Sequence, residues 1–139
     1  MTLRFTVPGQ PVAKARHRSF IGRKKDGRPV LVNYTPRETE NYEALVKLAA
    51  NQARGQEPII STACILRAKF FFAIPPSRAK KLKEGDAHGQ RPDLDNCLKS
   101  IKDGLNKVIF HDDSQVWKIE ASKHWGEIPR VEVEVESSD

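Results

Sequence analysis

Between residues 94 and 108 the apolar side chains fall at Leu94, Leu98, Ile101, Leu105 and Val108. Steps of four, three, four and three draw one stripe along a helix, whereas a strand would scatter them over both faces. A helix with one apolar stripe has to lay it on something, and the chain supplies strands on either side. Leu3, Phe5 and Val7 alternate with Thr2, Arg4 and Thr6 until Pro8-Gly9 ends the run. Val131, Val133 and Val135 alternate strictly with Arg130, Glu132, Glu134 and Glu136. Period two with one polar face is the mark of a half-buried strand.

The remaining segments fill in the order. Thr39 to about Arg54 reads as a helix, with Tyr42, Leu45, Val46, Ala49 and Ala50 at helical spacing and Gly55 as a stop. Ile59 to Ile74 is the most strand-like segment, and its imperfect alternation suggests a bulge before Pro75-Pro76. Ser77 to Gly85 is expected to be a short basic helix with Ser77 as N-cap, and Gly85 to Gln90 a polar linker. Asp93 stands at the N-cap of the striped helix, and a strand from Val116 to Trp125 follows it. Gln10 to Pro36 shows no sustained periodicity and reads as one long loop, a length that is usually functional or disordered. The order β-α-β-(short α)-α-β-β predicts an α+β domain, a mixed sheet of about four strands with helices packed on it. At 139 residues the whole chain, 1–139, fits a single compact domain.

Charge supplies the functional clue. The formal net charge is +6 and the pI about 9.5. Lys14, Arg16, Arg18, Arg23, Lys24, Lys25 and Arg28 crowd the long loop, opposed only by Asp26. Such a concentration of cations ordinarily meets phosphate. Yet Asp93 and Asp95, then Asp112 and Asp113, form two tight acidic groups that would repel the same phosphate unless a cation lay between. Hard divalent ions take oxygen ligands, and Mg²⁺ in particular is held by one or two carboxylates plus substrate phosphate. The combination points to metal-dependent chemistry on a nucleic acid backbone. Asp95, Lys99 and Asp103 share one helix face at i, i+4 and i+8. A strand running back beside the helix is expected to bring Asp112-Asp113 to Asp93 and Asp95.

Plainer readings exist for each acid: capping and dipole complementarity for Asp93 and Asp95, a turn for Asp112-Asp113, and i,i+4 pairing for Lys99. An EF-hand loop starting at Asp93 fails, because Leu98 and Gly104 stand where glycine and the last acid are needed. Four scattered His and the distant Cys64 and Cys97 show no zinc spacing, and the two cysteines read as reduced thiols in or near a core. Neither a spanning helix nor a signal-peptide stretch is visible, so a cytoplasmic location is expected.

The ordered pattern Arg91-Pro92-Asp93-Leu94-Asp95-Asn96-Cys97-Leu98-Lys99, Asp103-Gly104-Leu105 and Asp112-Asp113-Ser114-Gln115-Val116 closely resembles the signature of RusA-type Holliday junction resolvases. Pro11-Val12-Ala13-Lys14-Ala15-Arg16, Tyr34-Thr35-Pro36 and the late Lys123 are similar to other parts of that family, so the likeness runs through essentially the whole chain. The resemblance implies a homodimeric α+β endodeoxyribonuclease, of a kind often carried by prophages. It implies Mg²⁺ as cofactor and paired nicks in four-way junctions, leaving 5′-phosphate and 3′-hydroxyl ends. It further implies that Asp93, Asp95 and Asp113 bind the metal, with Asp112 auxiliary and Lys99 a catalytic basic residue. A nuclease of forks or flaps, and a DNA-binding protein whose carboxylates only brace the fold, are the competing expectations.

Overall fold

A computed structural model describes residues 1–15, 18–34 and 37–138, and of residues 18–20 and 32–34 the backbone alone. Strand β1 (Thr2–Pro8) pairs antiparallel with β6 (Arg130–Ser137), which pairs antiparallel with β4 (Cys64–Ala73). β5 (Val116–Gly126) joins β4 in parallel, giving a four-stranded mixed sheet in the order β1-β6-β4-β5. A parallel pair requires a crossover, and the crossover here carries helix α2 (Leu94–Leu105). Helix α1 (Arg37–Arg54) lies between β3 (Pro29–Tyr34) and β4 in the chain and packs on α2 and β1. The expected α+β class and four-stranded sheet are therefore present.

One face of the sheet is covered by the two helices and the other is open. Leu66, Ala68, Phe70 and Phe72 alternate into the covered side of β4, opposite Val131, Val133 and Val135 of β6. The extra aromatic, Phe71, disturbs the alternation without breaking it. It is buried on the other side of the strand, beneath the Arg130 guanidinium at 3.9 Å and against His124. A register shift falls where Cys64 and Ile65 face Val116 and Lys118, so the additional residue is Trp117 on β5 rather than one on β4. On the open face Arg67 donates to Glu120, Glu134 and Glu136. These bonds hold the Glu134 and Glu120 carboxyls below their usual range.

Three expectations need correction. The long loop from Gln10 contains a hairpin, β2 (Arg18–Arg23) with β3, closed by the turn at Asp26-Gly27, where Gly27 takes a φ of 87°. The short basic helix is only a 3₁₀ turn, Pro76–Arg78. Pro75 occupies the cap position that Ser77 was expected to fill, and no side chain caps the turn. Proline is tolerated at the start, but the break at Gly85, with a φ of 90°, follows too soon for a helix to repay its nucleation. Helix α2 ends at Leu105, short of Val108, because Asn106 is extended and Lys107 has a φ of 67°. The stripe continues past the helix because Ile109 and Phe110 are drawn into the core as the chain turns back, Ile60 bonding to the carbonyl of Ile109.

Gly104 is where α1 and α2 come closest. A Cβ there would lie 2.5 Å from Cγ1 and 2.6 Å from Cβ of Val46, atoms fully buried with no room to yield. Helix propensity alone favours Ala over Gly by about 1 kcal/mol, but overpacking costs about 1–3 kcal/mol. Gly104→Ala is expected to lower stability by about 1–2 kcal/mol, read as a lower urea midpoint at unchanged slope. A variant as stable as the parent would show that the helices can part freely.

Candidate active site

Asp93 occupies the N-cap position of α2 with extended backbone angles (φ −65°, ψ 141°), yet its side chain makes no capping bond. The capping explanation for this carboxylate therefore fails. Asp95, in the first turn, accepts from the neighbouring backbone N–H of Asn96, at 3.0 Å. Both residues are exposed, and among the described residues neither carboxylate enters an ion pair. Their oxygens are left for solvent or a ligand. Lys99, one turn further along, has a side chain 60% exposed and stands 3.7 Å from Asp103, a loose contact.

The approach to Asp93 is fixed from β5. The Lys123 ammonium donates to the backbone carbonyls of Gln90 and Pro92, the latter at 2.6 Å. The preceding segment lies along the same strand, with His88 N–H bonded to the Lys123 carbonyl and Trp125 N–H to that of Asp86. His88 is buried between Phe72 and Trp125, ring centroids 4.6 and 4.0 Å away. Burial and the Lys123 charge both push its pKa down, which keeps the ring neutral. Cys97, on the buried side of α2, has its thiol raised to about 11 by burial; Lys123 opposes that rise, and Asp93 and Asp95 add to it. One cation and two carboxylates thus share the field at this end of the helix.

The second acidic group lies elsewhere. Asp112 caps the 3₁₀ turn Asp113–Gln115, accepting from Ser114 N–H while the Gln115 carboxamide oxygen accepts from Asp112 N–H. The Gln115 amide group then donates to the carbonyls of Ile60 and Thr62, both at 2.9 Å, tying the turn to the segment beside Ile109. Hydrogen bonding from Ser114 lowers the Asp112 pKa, with a smaller contribution from Lys107, just past the helix C-cap. Asp112 is thereby committed to the turn, while among the described residues the Asp113 carboxylate enters no ion pair. The two acidic groups sit at the two ends of α2, whose twelve residues span about 18 Å. β5 does run back along the helix, but what it returns to the approach to Asp93 is Lys123, ten residues beyond Asp113. Among the described residues no three His, Cys, Asp or Glu side chains gather closely enough to hold a metal. The expected meeting of Asp113 with Asp93 and Asp95 does not occur within one chain.

The basic residues also divide. The Lys14 ammonium is held by Glu43 of α1 and, at 3.1 Å, by Asp103 of α2, with 19% of its side chain exposed. It braces the two helices and is not free for phosphate. This contact, rather than Lys99, is the tighter use of Asp103. Arg16 lies outside the described residues, as does the side chain of Arg18. Arg23, Lys24, Lys25 and Arg28 stand exposed about the hairpin turn, where Arg28 and Asp26 form a loose pair at 3.4 Å. Sequence reasoning passed over the hairpin itself, although Asp26-Gly27 between the apolar runs Phe20-Ile21 and Val30-Leu31-Val32 is a hairpin signal. It also passed over Trp117 and Ile119, which are 62% and 40% exposed on β5 amid a charged pattern.

The structure thus defines a small α+β domain with two exposed carboxylates at a helix end, on a basic chain. Comparison with known proteins makes this specific. Residues 8–136 match the family Endodeoxyribonuclease RusA, and the chain belongs to that family. It is 37% identical over 138 residues to the protein YqaN of Bacillus subtilis (strain 168), covering 94% of this chain and 93% of that one. It is 33% identical over 104 residues to the crossover junction endodeoxyribonuclease of Lactococcus phage r1t, covering 73% of this chain and 75% of the phage protein. The chain is accordingly an endodeoxyribonuclease of the junction-resolving class.

Proposed function

We propose that this enzyme uses Mg²⁺ to resolve four-way junctions by paired nicks in DNA recombination and repair, and that it works as a homodimer. One observation carries the metal assignment. Asp93 and Asp95 present uncommitted carboxylates at an exposed helix end, in a chain of net charge +6. Two carboxylates with open solvent beside them suit Mg²⁺, which keeps several waters and takes substrate phosphate as a further ligand. When bound, such an ion polarises a phosphoryl oxygen and acidifies a coordinated water. Asp93 and Asp95 are the residues that would hold such an ion. Lys99, exposed one turn along α2, offers its ammonium to the charge that develops on the phosphate. Lys123 fixes the main chain that leads into Asp93.

The separation of the acidic groups favours a two-fold assembly. β5 is an edge strand, and its end from residue 123 onward is already paired with the 85–88 segment. The open stretch, residues 116–121, carries the exposed Trp117 and Ile119. Antiparallel pairing of this stretch with its own copy, centred near Ile119, is self-complementary about a two-fold axis. Such pairing carries Asp113 of one chain toward the Lys123 end of the other, where Asp93 and Asp95 lie. Each site then draws on both chains, and two sites face two strands of like polarity in a two-fold junction. Arg23, Lys24, Lys25 and Arg28 serve as phosphate contacts flanking the branch.

The experiment is cleavage of a synthetic mobile four-way junction with and without Mg²⁺, mapping nicks on all strands. Symmetric nicks on one opposed pair, absent in EDTA, are expected. Linear duplex cut as fast as the junction would refute junction specificity, and faster cutting of forks or flaps would assign those as substrate.

A further inference from the structure

The hairpin β2–β3 forms a two-stranded sheet of its own, apart from the main sheet. Its register sets Ile21 directly across from Leu31, and the two side chains are 75% and 64% exposed. A lone hairpin is marginal in water, and an uncovered aliphatic cross-strand pair does little to hold it. Two residues toward the turn, on the same face, stand Arg23 and Pro29. The turn adds Lys24, Lys25 and Arg28 against Asp26 alone.

That charge restricts what can cover the pair. A second copy would bring an equally cationic hairpin against the first, with only Asp26 on each to offset four cations. Nucleic acid offers both chemistries needed: phosphates for the cations and base faces for the aliphatic side chains. An intact duplex keeps its base faces inside the stack, whereas a branch point interrupts stacking and exposes them. We infer that Ile21 and Leu31 form an apolar wedge that packs on base faces at the branch point, with Arg23, Lys24, Lys25 and Arg28 holding the flanking phosphates. Aliphatic wedges such as Leu and Ile are used this way by proteins that unstack and kink DNA. The inference rests on the reading of this chain as a nuclease of branched DNA and deepens it. Carboxylates and a metal treat every phosphodiester alike, so preference for a branch has to be read by another surface.

The test uses the full chain in EDTA, with a four-way junction carrying one 2-aminopurine either at the branch point or in mid-arm. Binding is expected to raise the fluorescence of the branch-point probe and to leave the mid-arm probe unchanged. The double variant Ile21→Ser/Leu31→Ser changes exposed positions only and is expected to keep its Tm. It should lose most of the rise and about tenfold of the preference for junction over duplex. Lys24→Gln/Lys25→Gln should instead weaken binding to junction and duplex alike, flatten the salt dependence and keep the rise at saturation. A serine variant that retains both the rise and the preference overturns the wedge. So does conversion of a dimer to a monomer by the serine changes, which would assign the pair to a second copy. A parent enzyme that nicks junctions in Mg²⁺ without unstacking the probe overturns the wedge and leaves the nuclease reading standing. One that neither binds nor nicks branched DNA removes both.

Discussion

Asp93→Asn is expected to reduce junction nicking on the order of 10³-fold while junction binding is kept or tightened. The loss corresponds to about 4 kcal/mol of transition-state stabilisation, the scale on which a metal-held phosphoryl oxygen contributes. Asn keeps the shape and one oxygen but removes the charge that an oxygen-seeking divalent ion needs. Removing a negative charge from a surface that faces phosphate also lessens repulsion, so affinity moves opposite to rate. Stability should hardly move, because the Asp93 side chain caps nothing and pairs with nothing among the described residues. Nicking rates under single turnover, gel-shift affinities in EDTA and a thermal melt separate these effects. A variant that nicks at the parental rate would remove Asp93 from the metal site; one that loses binding in step with rate would make it a DNA contact.

Trp117→Glu is expected to turn the proposed dimer into a monomer and to abolish nicking to a similar extent. The residue is 62% exposed at the register shift of the edge strand. A carboxylate there, two residues from the centre of the pairing, would be desolvated against the other chain with no cation to meet it. With the pairing lost, Asp113 no longer reaches the other chain's Asp93 and Asp95, so chemistry fails along with assembly. The fold of the single chain should survive, since Trp117 is mostly exposed and is not part of the buried core. Light scattering reads the assembly and circular dichroism the fold. A persistent monomer that still makes paired nicks would contradict the two-fold site.

What the sequence made legible was whatever repeats with a clean period. The striped helix, the Val-alternating β6 and the Leu3-Phe5-Val7 strand each bury one face against a continuous core, and period alone declares that. The hairpin β2–β3 escaped because its Ile21 and Leu31 stay exposed, so burial left no regular imprint there beyond the Asp26-Gly27 turn. Ser77 to Gly85 misled in the opposite direction. Helix-forming lysines were present, but Pro75-Pro76 and Gly85 left too short a span to nucleate. At the site, residue identity singled out Asp93, Asp95 and Lys99, since carboxylates in a basic chain need a reason. Identity could not say where Asp112 and Asp113 would lie. A chain that leaves a helix and returns on a parallel strand brings the strand's far end, not its start, to the helix N-terminus, and that end carries Lys123. Nor could charge distinguish Lys14, spent on Glu43 and Asp103, from the exposed cations of the hairpin turn.

The most direct measurement is complementation between two inactive variants, Asp93→Asn and Asp113→Asn. After the two are mixed and allowed to exchange subunits, half of the dimers carry one of each, and each mixed dimer assembles one intact site. About a quarter of all sites then regain nicking, with a single nick per mixed dimer and junction. Recovery of single nicks to roughly that level is the expected result. A mixture that exchanges subunits freely yet stays as inactive as either variant alone would contradict a metal site shared across the two-fold axis.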